Sequence, residues 1–164
     1  MQAPKIVYLF RKRMPHFHSV EGVFSVIVPL IAREFPVKSV ELPYAGGVIS
    51  VFRNLWGFRK ERGVLYHLTG QDCYISLLTG RKSVLTIHDV GSALKGLWYK
   101  RIMVLLFWLW IPALLVRRIT VISENSAREV RALMPFSRHK IRVIPNPVSP
   151  LFAYTPKPFQ VVNP

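Results

Sequence analysis

The residues of this chain best suited to chemistry are His88 and Asp89, a pair that closes the apolar run Val84 to Ile87. An imidazole titrates near neutrality and can donate to a phosphate or a sugar hydroxyl, while an adjacent carboxylate can orient it or accept. Other polar residues stand in equivalent places. After the run Ile6 to Phe10 come His16, His18, Ser19 and Glu21, and around the end of Val64 to Leu68 come His67, Thr69, Gly70 and Gln71. Ser123 and Glu124 follow the run Ile119 to Ile122. Ser123 has two readings, as a site residue or as the cap of the helix that follows it.

These residues meet only if the runs before them are neighbouring parallel strands. The same texture recurs at Val37 to Leu42 and Ile141 to Ile144, giving six strands, each but the last followed by loop residues and a helix. Such alternation predicts an α/β fold: a Rossmann-like parallel sheet with helices on both faces, whose ligands gather outside the carboxyl ends of the strands. The first helix is expected from a cap at Ser19, with Glu21 in its first turn, to about Arg33. The second is expected from Val48 to Arg62, ended by Gly63. A third, Leu97 to Val116, is apolar almost all round, and Pro112 should kink or restart it. Ser123 to Met134 reads as an amphipathic surface helix. Prolines at 145, 147, 150, 156, 158 and 164 then leave no room for regular structure. The expected organisation is one domain over residues 1–148 and a proline-rich linker over residues 149–164.

Composition narrows the class of function. With 164 residues, 51% of them hydrophobic, the chain can fill a core. Its 23 Lys and Arg against 8 Asp and Glu give a formal charge of +15, which suits an anionic partner: nucleic acid, an anionic membrane, or a phosphate-bearing small molecule. The single cysteine, Cys73, excludes an intramolecular disulfide and a cysteine-based metal site and suits the cytoplasm. The opening MQAPKIVYLFRKR places its basic residues after the apolar run, which is not the order of a signal peptide. The longest apolar run, Ile102 to Val116, lies between Arg101 and Arg117 and falls short of the roughly 20 residues that span a bilayer. A buried helix, or one lying at the inner face of the plasma membrane, fits it better. There is no P-loop, no Gly-x-Gly-x-x-Gly and no Asp-x-Asp, so neither a metal nor a resident cofactor is expected. A basic Rossmann-like module that binds nucleic acid or membrane without catalysis is the alternative. Its nucleic-acid form is disfavoured, since no recognition motif occurs and the aromatic residues cluster with apolar ones, as in LLFWLW.

The segment SVLTIHDV, then RRITVISENSAREV, then KIRVIPNPVSPLF resembles, in order and spacing, the first domain of the retaining glycosyltransferases of family 4, which have the GT-B fold. HSVEGVF and HLTG extend the resemblance over nearly the whole chain. It implies an acceptor-binding half of an enzyme that transfers a sugar from a nucleotide-sugar, its co-substrate, with retention, in bacterial polysaccharide or glycolipid synthesis. By the same resemblance, His88 and Asp89 are the catalytic positions, facing the reacting sugar and shaping its loop. Ser19, Glu21, His67, Thr69, Gly70, Ser123 and Glu124 fall on the acceptor side, and Asn146 and Pro147 at the hinge. Two departures stand out: Pro147 replaces the usual glycine of the last motif, and RKRMPHFHS replaces a glycine-rich loop after the first strand. The family's pair of Glu residues with seven residues between them, which holds the donor, has no counterpart among the eight acids. The expectation is a chain without its donor domain, inactive alone, that takes a sugar or lipid-linked sugar acceptor and has its donor half supplied elsewhere.

Overall fold

Six short β-rich runs become six parallel strands: β1 (Lys5–Phe10), β2 (Val37–Glu41), β3 (Val64–Leu68), β4 (Ser83–Ile87), β5 (Arg118–Val121) and β6 (Ile141–Val143). They form one sheet in the order β2-β1-β3-β4-β5-β6. The computed structural model describes residues 4–13, 19–70, 72–91 and 97–148. His16, His18, Gln71 and the expected linker 149–164 lie outside them.

Period-two alternation sorts each strand onto two faces. Val7, Leu9, Tyr66, Leu68, Leu85, Ile87, Ile119 and Val121 are buried in the main core on one face. The alternate residues Tyr8, His67, Thr86 and Thr120 lie on the other. Helix α1 (Ser19–Ile31) covers part of that second face through Phe24, whose ring packs 5.7 Å from Tyr8 and 5.2 Å from His67. The core face is covered by α2 (Gly47–Gly57), a short helical segment containing α3 (Ser76–Thr79), and a long helix over residues 98–115. The last is composed of α4 (Trp98–Val104), a π-helical stretch Leu105–Trp110, and α5 (Ile111–Leu115). Helix α6 (Glu124–Leu133) contributes Ala127 and Val130 to the same core. The fold is thus the expected α/β, Rossmann-like parallel sheet with helices on both faces.

The connections explain where a crevice must open. From β1 the chain steps outward through α1 to β2, then returns past β1 through α2 to β3. Right-handed crossovers in opposite directions put α1 and α2 on opposite faces, so the loops leaving β1 and β3 diverge at the carboxyl edge.

Two helices differ from their sequence reading. Helix α2 ends at Gly57 rather than Arg62, because Phe58 turns extended (φ −70°, ψ 121°) and packs 5.7 Å from the Tyr66 ring. Glu61, read as helical, instead bridges Lys5 at 2.8 Å and Lys38 at 2.6 Å, tying β1 and β2 to the approach of β3. Those two ammonium groups hold its carboxyl down to about 2. Gly63, with φ +72°, is the turn into β3 and not a helix cap. Pro112 restarts the long helix without ending it: the π-helical stretch precedes it, and the α-helical geometry resumes at Ile111. Proline has no N–H for the carbonyl four residues back, that of Trp108, and the buried Cys73 thiol donates to that oxygen at 3.0 Å.

Cys73 is therefore a core residue, and burial together with the nearby Asp72 pushes its thiol far above the ordinary range. Since the thiolate is the reactive form, Cys73 should resist alkylation by iodoacetamide at pH 8 in the native protein and react fully in denaturant. Rapid labelling of the folded chain would show that the 73–82 segment opens readily.

Candidate functional site

The crevice expected at the carboxyl edge is a cavity of about 260 Å³. Phe10 and Arg11 line it from the end of β1, Ser19 and Glu21 from the start of α1, Thr69, Gly70 and Asp72 from beyond β3, and His88 and Asp89 from beyond β4. Trp108 and Leu109 of the long helix close its apolar wall. Six residues singled out in the sequence, Ser19, Glu21, Thr69, Gly70, His88 and Asp89, thus share one cavity.

Thr69 anchors this edge. Its N–H and its hydroxyl both donate to the Leu9 carbonyl, at 3.2 and 2.8 Å. The Thr69 carbonyl in turn accepts from His88 Nε2 at 3.0 Å. A carbonyl only accepts, so Nε2 carries the hydrogen, and in the neutral ring Nδ1 is the acceptor nitrogen. Burial lowers the His88 pKa, the hydrogen bond to the Thr69 carbonyl opposing it in part, which favours the neutral ring at physiological pH. Gly70 lies against this ring, since a Cβ there would stand 3.9 Å from Cδ2. Asp89 folds its own loop: Oδ1 accepts from the Gly91 N–H at 2.6 Å, while the residue stays exposed.

Glu21 meets Arg11 at 3.2 Å, with both side chains largely shielded from solvent. Its second oxygen, Oε2, is buried without a hydrogen-bond donor among the described residues. Asp72 Oδ2 is in the same condition. Burial raises the Asp72 pKa, offset in part by the Tyr74 hydroxyl and Arg11. Buried carboxylate oxygens without donors are rare and costly, and two on one cavity make a surface that favours hydroxyl or amine donors. Sequence reasoning missed Arg11 and Asp72. Arg11 sat inside RKRMPHFHS, noted only as a departure from a glycine-rich loop, and Asp72 two residues beyond Gly70 had no motif to mark it.

The other expected residues lie elsewhere. His67 is in mid-strand, not on the cavity wall: it stacks on Tyr8 with centroids 5.0 Å apart, and its Nε2 meets Thr86 Oγ1 at 2.7 Å. Thr86 Oγ1 continues to Thr120 Oγ1 at 2.8 Å, so a polar ladder crosses β3, β4 and β5. Ser123 caps α6, its Oγ accepting from the Ser126 N–H at 3.1 Å. Glu124 is exposed and pairs with Arg131 at 3.6 Å. Asn146 and Pro147 follow β6, away from the cavity lining. Among the described residues no group of three or more His, Cys, Asp or Glu is placed to hold a metal ion.

Burial, with a smaller contribution from His88, holds the His67 pKa down to about 4. An unfolded His titrates near 6.5, so between these values the unfolded chain binds the extra proton and the folded chain does not. The stability this represents is complete above about pH 6.5 and is lost as pH falls towards about 4. Urea denaturation should show a loss of about 2 kcal/mol from this residue between pH 7 and pH 5. His67→Gln, which can still bond Thr86, should remove that slope, and an unchanged slope would mean that His67 is already charged in the native state.

A family model for Glycosyltransferase Family 4 matches residues 27–150, most of the chain and all of β2 to β6. Comparison with curated proteins and with solved structures found no match. Taken with a parallel sheet that corresponds to one half of a GT-B enzyme, and with a cavity at its switch point, the match shows that this chain belongs to glycosyltransferase family 4.

Proposed function

We propose that this domain is the acceptor side of a retaining glycosyltransferase that uses a nucleotide-sugar, and that the acceptor enters the cavity between β1, β3 and β4. The observation that carries the reading is the clustering of neutral His88 with Glu21 and Asp72 around one cavity of a family 4 chain. A sugar presents several hydroxyl donors in a small volume, which suits the donor-less oxygens Glu21 Oε2 and Asp72 Oδ2. His88 Nδ1 is the acceptor for a further hydroxyl near the reacting centre, with Nε2 locked to Thr69 so that the ring does not turn. Asp89 shapes the loop that carries it. No acidic pair of the kind that holds the donor in this family occurs in the sequence, and on this reading donor contacts come from a second domain. The leaving diphosphate would be stabilised by fixed dipoles and cations, without a metal.

Two measurements test this. In an enzyme containing this domain, His88→Ala should lower turnover by about a hundredfold or more with its melting temperature unchanged, the usual size of a lost acid–base or electrostatic contribution. Unchanged turnover would make His88 structural. Isothermal titration of the chain alone should give no micromolar binding of any nucleotide-sugar, and such binding would place the donor site in this domain.

A further inference from the structure

The helices that cover the core face of the sheet carry apolar side chains on their outer sides as well. In α2, Asn54 is buried, and Val51 and Leu55 pack against the core. On the opposite side Val48, Ile49, Phe52 and Trp56 are 67, 71, 67 and 91% exposed. Their spacing is that of one helical stripe. The long helix repeats the pattern. It buries Leu109, Pro112 and Ala113, while Trp98, Ile102, Met103, Phe107 and Leu114 remain exposed.

Both helices pack on the same sheet face, with the segment around Tyr74 between them. The Asn54 Nδ2 donates to the Tyr74 hydroxyl at 2.7 Å, and the Tyr74 ring lies 6.3 Å from that of Trp108. The two stripes therefore turn away from the sheet on the same side. An apolar surface of this extent is rare on a protein that faces only water.

Charge identifies the occupant. No Asp or Glu occurs between Leu42 and Lys60 or between Val90 and Ser123, the stretches that contain these helices. Arg53, Arg59 and Arg101 are exposed within or beside them, and Arg117 and Arg118 follow the long helix. Among the described residues the ion pairs involve Lys5, Arg11, Arg13, Lys38 and Arg131, so none neutralises these arginines. Among the same residues, no helix is long and apolar enough to cross a membrane.

We propose that α2 and the long helix together form a docking face for an anionic lipid bilayer, lying flat with their outer apolar side chains among the acyl chains and the arginines at the headgroups. Interfacial helices bind through buried apolar area plus attraction to anionic lipid, and Trp is favoured at that depth. The face is distinct from the carboxyl-edge cavity, so the inference does not depend on the acceptor reading.

The full chain should float with phosphatidylcholine vesicles containing phosphatidylglycerol and far less with phosphatidylcholine alone. Binding should weaken between about 0.1 M and about 1 M salt, where the Debye length falls from about 10 Å to about 3 Å. The double variant F52S and W56S lies on exposed positions, so its melting temperature should be unchanged while its partition to anionic vesicles drops at least tenfold. In the unaltered chain, lipids brominated near the headgroup should quench part of the tryptophan emission, and F52S/W56S should lose that quenching. Vesicle binding untouched by F52S/W56S and by the long-helix variant I102S/F107S would overturn the proposal. So would absence of vesicle binding accompanied by a concentration-dependent dimer, which would give the face to a second copy of the chain.

Discussion

Leu9 of β1 is almost completely buried, and its carbonyl receives both the N–H and the hydroxyl of Thr69, whose own carbonyl receives Nε2–H of His88. This relay ties the site to the three strands that flank the switch point. It exists because β1, β3 and β4 run parallel in a fixed register, with Leu9 beside Leu68 and Leu68 beside Leu85. A slip of one residue would turn Thr69 and His88 to the other face. The apolar burial of Leu9, Leu68 and Leu85 thus does more than stabilise the sheet. It sets the tautomer and orientation of an imidazole, and so decides which of its nitrogens can meet a ligand.

The strands were legible because each is a short β-rich run bounded by turns, and the inner ones, β1, β3, β4 and β5, carry the apolar residues that buried parallel strands demand. The edge at which polar residues meet followed from that alone, and six of the marked residues share the cavity. His67 shows the limit of the argument. A histidine at the end of a run and one inside it look alike in sequence, but period two sends His67 to the face of Tyr8 and Phe24, where it pairs with Thr86 in place of a ligand. Asp72 was illegible for the opposite reason. Its importance comes from burial and an oxygen without a donor, and neither leaves a mark on the sequence. The end of α2 was misplaced because Phe58 and Glu61 are fixed by partners in other elements, Tyr66, Lys5 and Lys38, which outweigh the helical propensity of residues 58–62.

The net charge of +15 invites the view that the cavity is an anion site, and the lining argues against it. Among the described lining residues, three carboxylates, Glu21, Asp72 and Asp89, face one guanidinium, Arg11, which already meets Glu21. The excess of positive charge must lie elsewhere. Part of it gathers at the amino edge of the sheet, opposite the cavity: Arg81 and Arg118 are close enough to help depress the Lys140 pKa, although burial contributes more. Charge and chemistry are thus separated across the molecule, and composition alone could not have separated them.

The long helix makes the same point for apolar residues. Read from sequence it is apolar nearly all round, and hydrophobicity alone cannot say which side faces the sheet. Polar contacts fix its rotation instead. The Trp108 carbonyl is turned to the Cys73 thiol, and Trp110 Nε1 donates to the Leu133 carbonyl at 3.0 Å. At the carboxyl end, Lys140 Nζ donates to the carbonyls of Ala113, Leu114 and Val116, which the terminating helix would otherwise leave without donors. Each of these contacts is lost if the helix rolls about its axis. Leu109, Pro112 and Ala113 are consequently held inward, and side chains as apolar as theirs, Phe107 and Leu114 among them, are held outward. The exposed stripe is then a consequence of polar geometry, imposed at three points, on a helix whose hydrophobicity would accept other rotations.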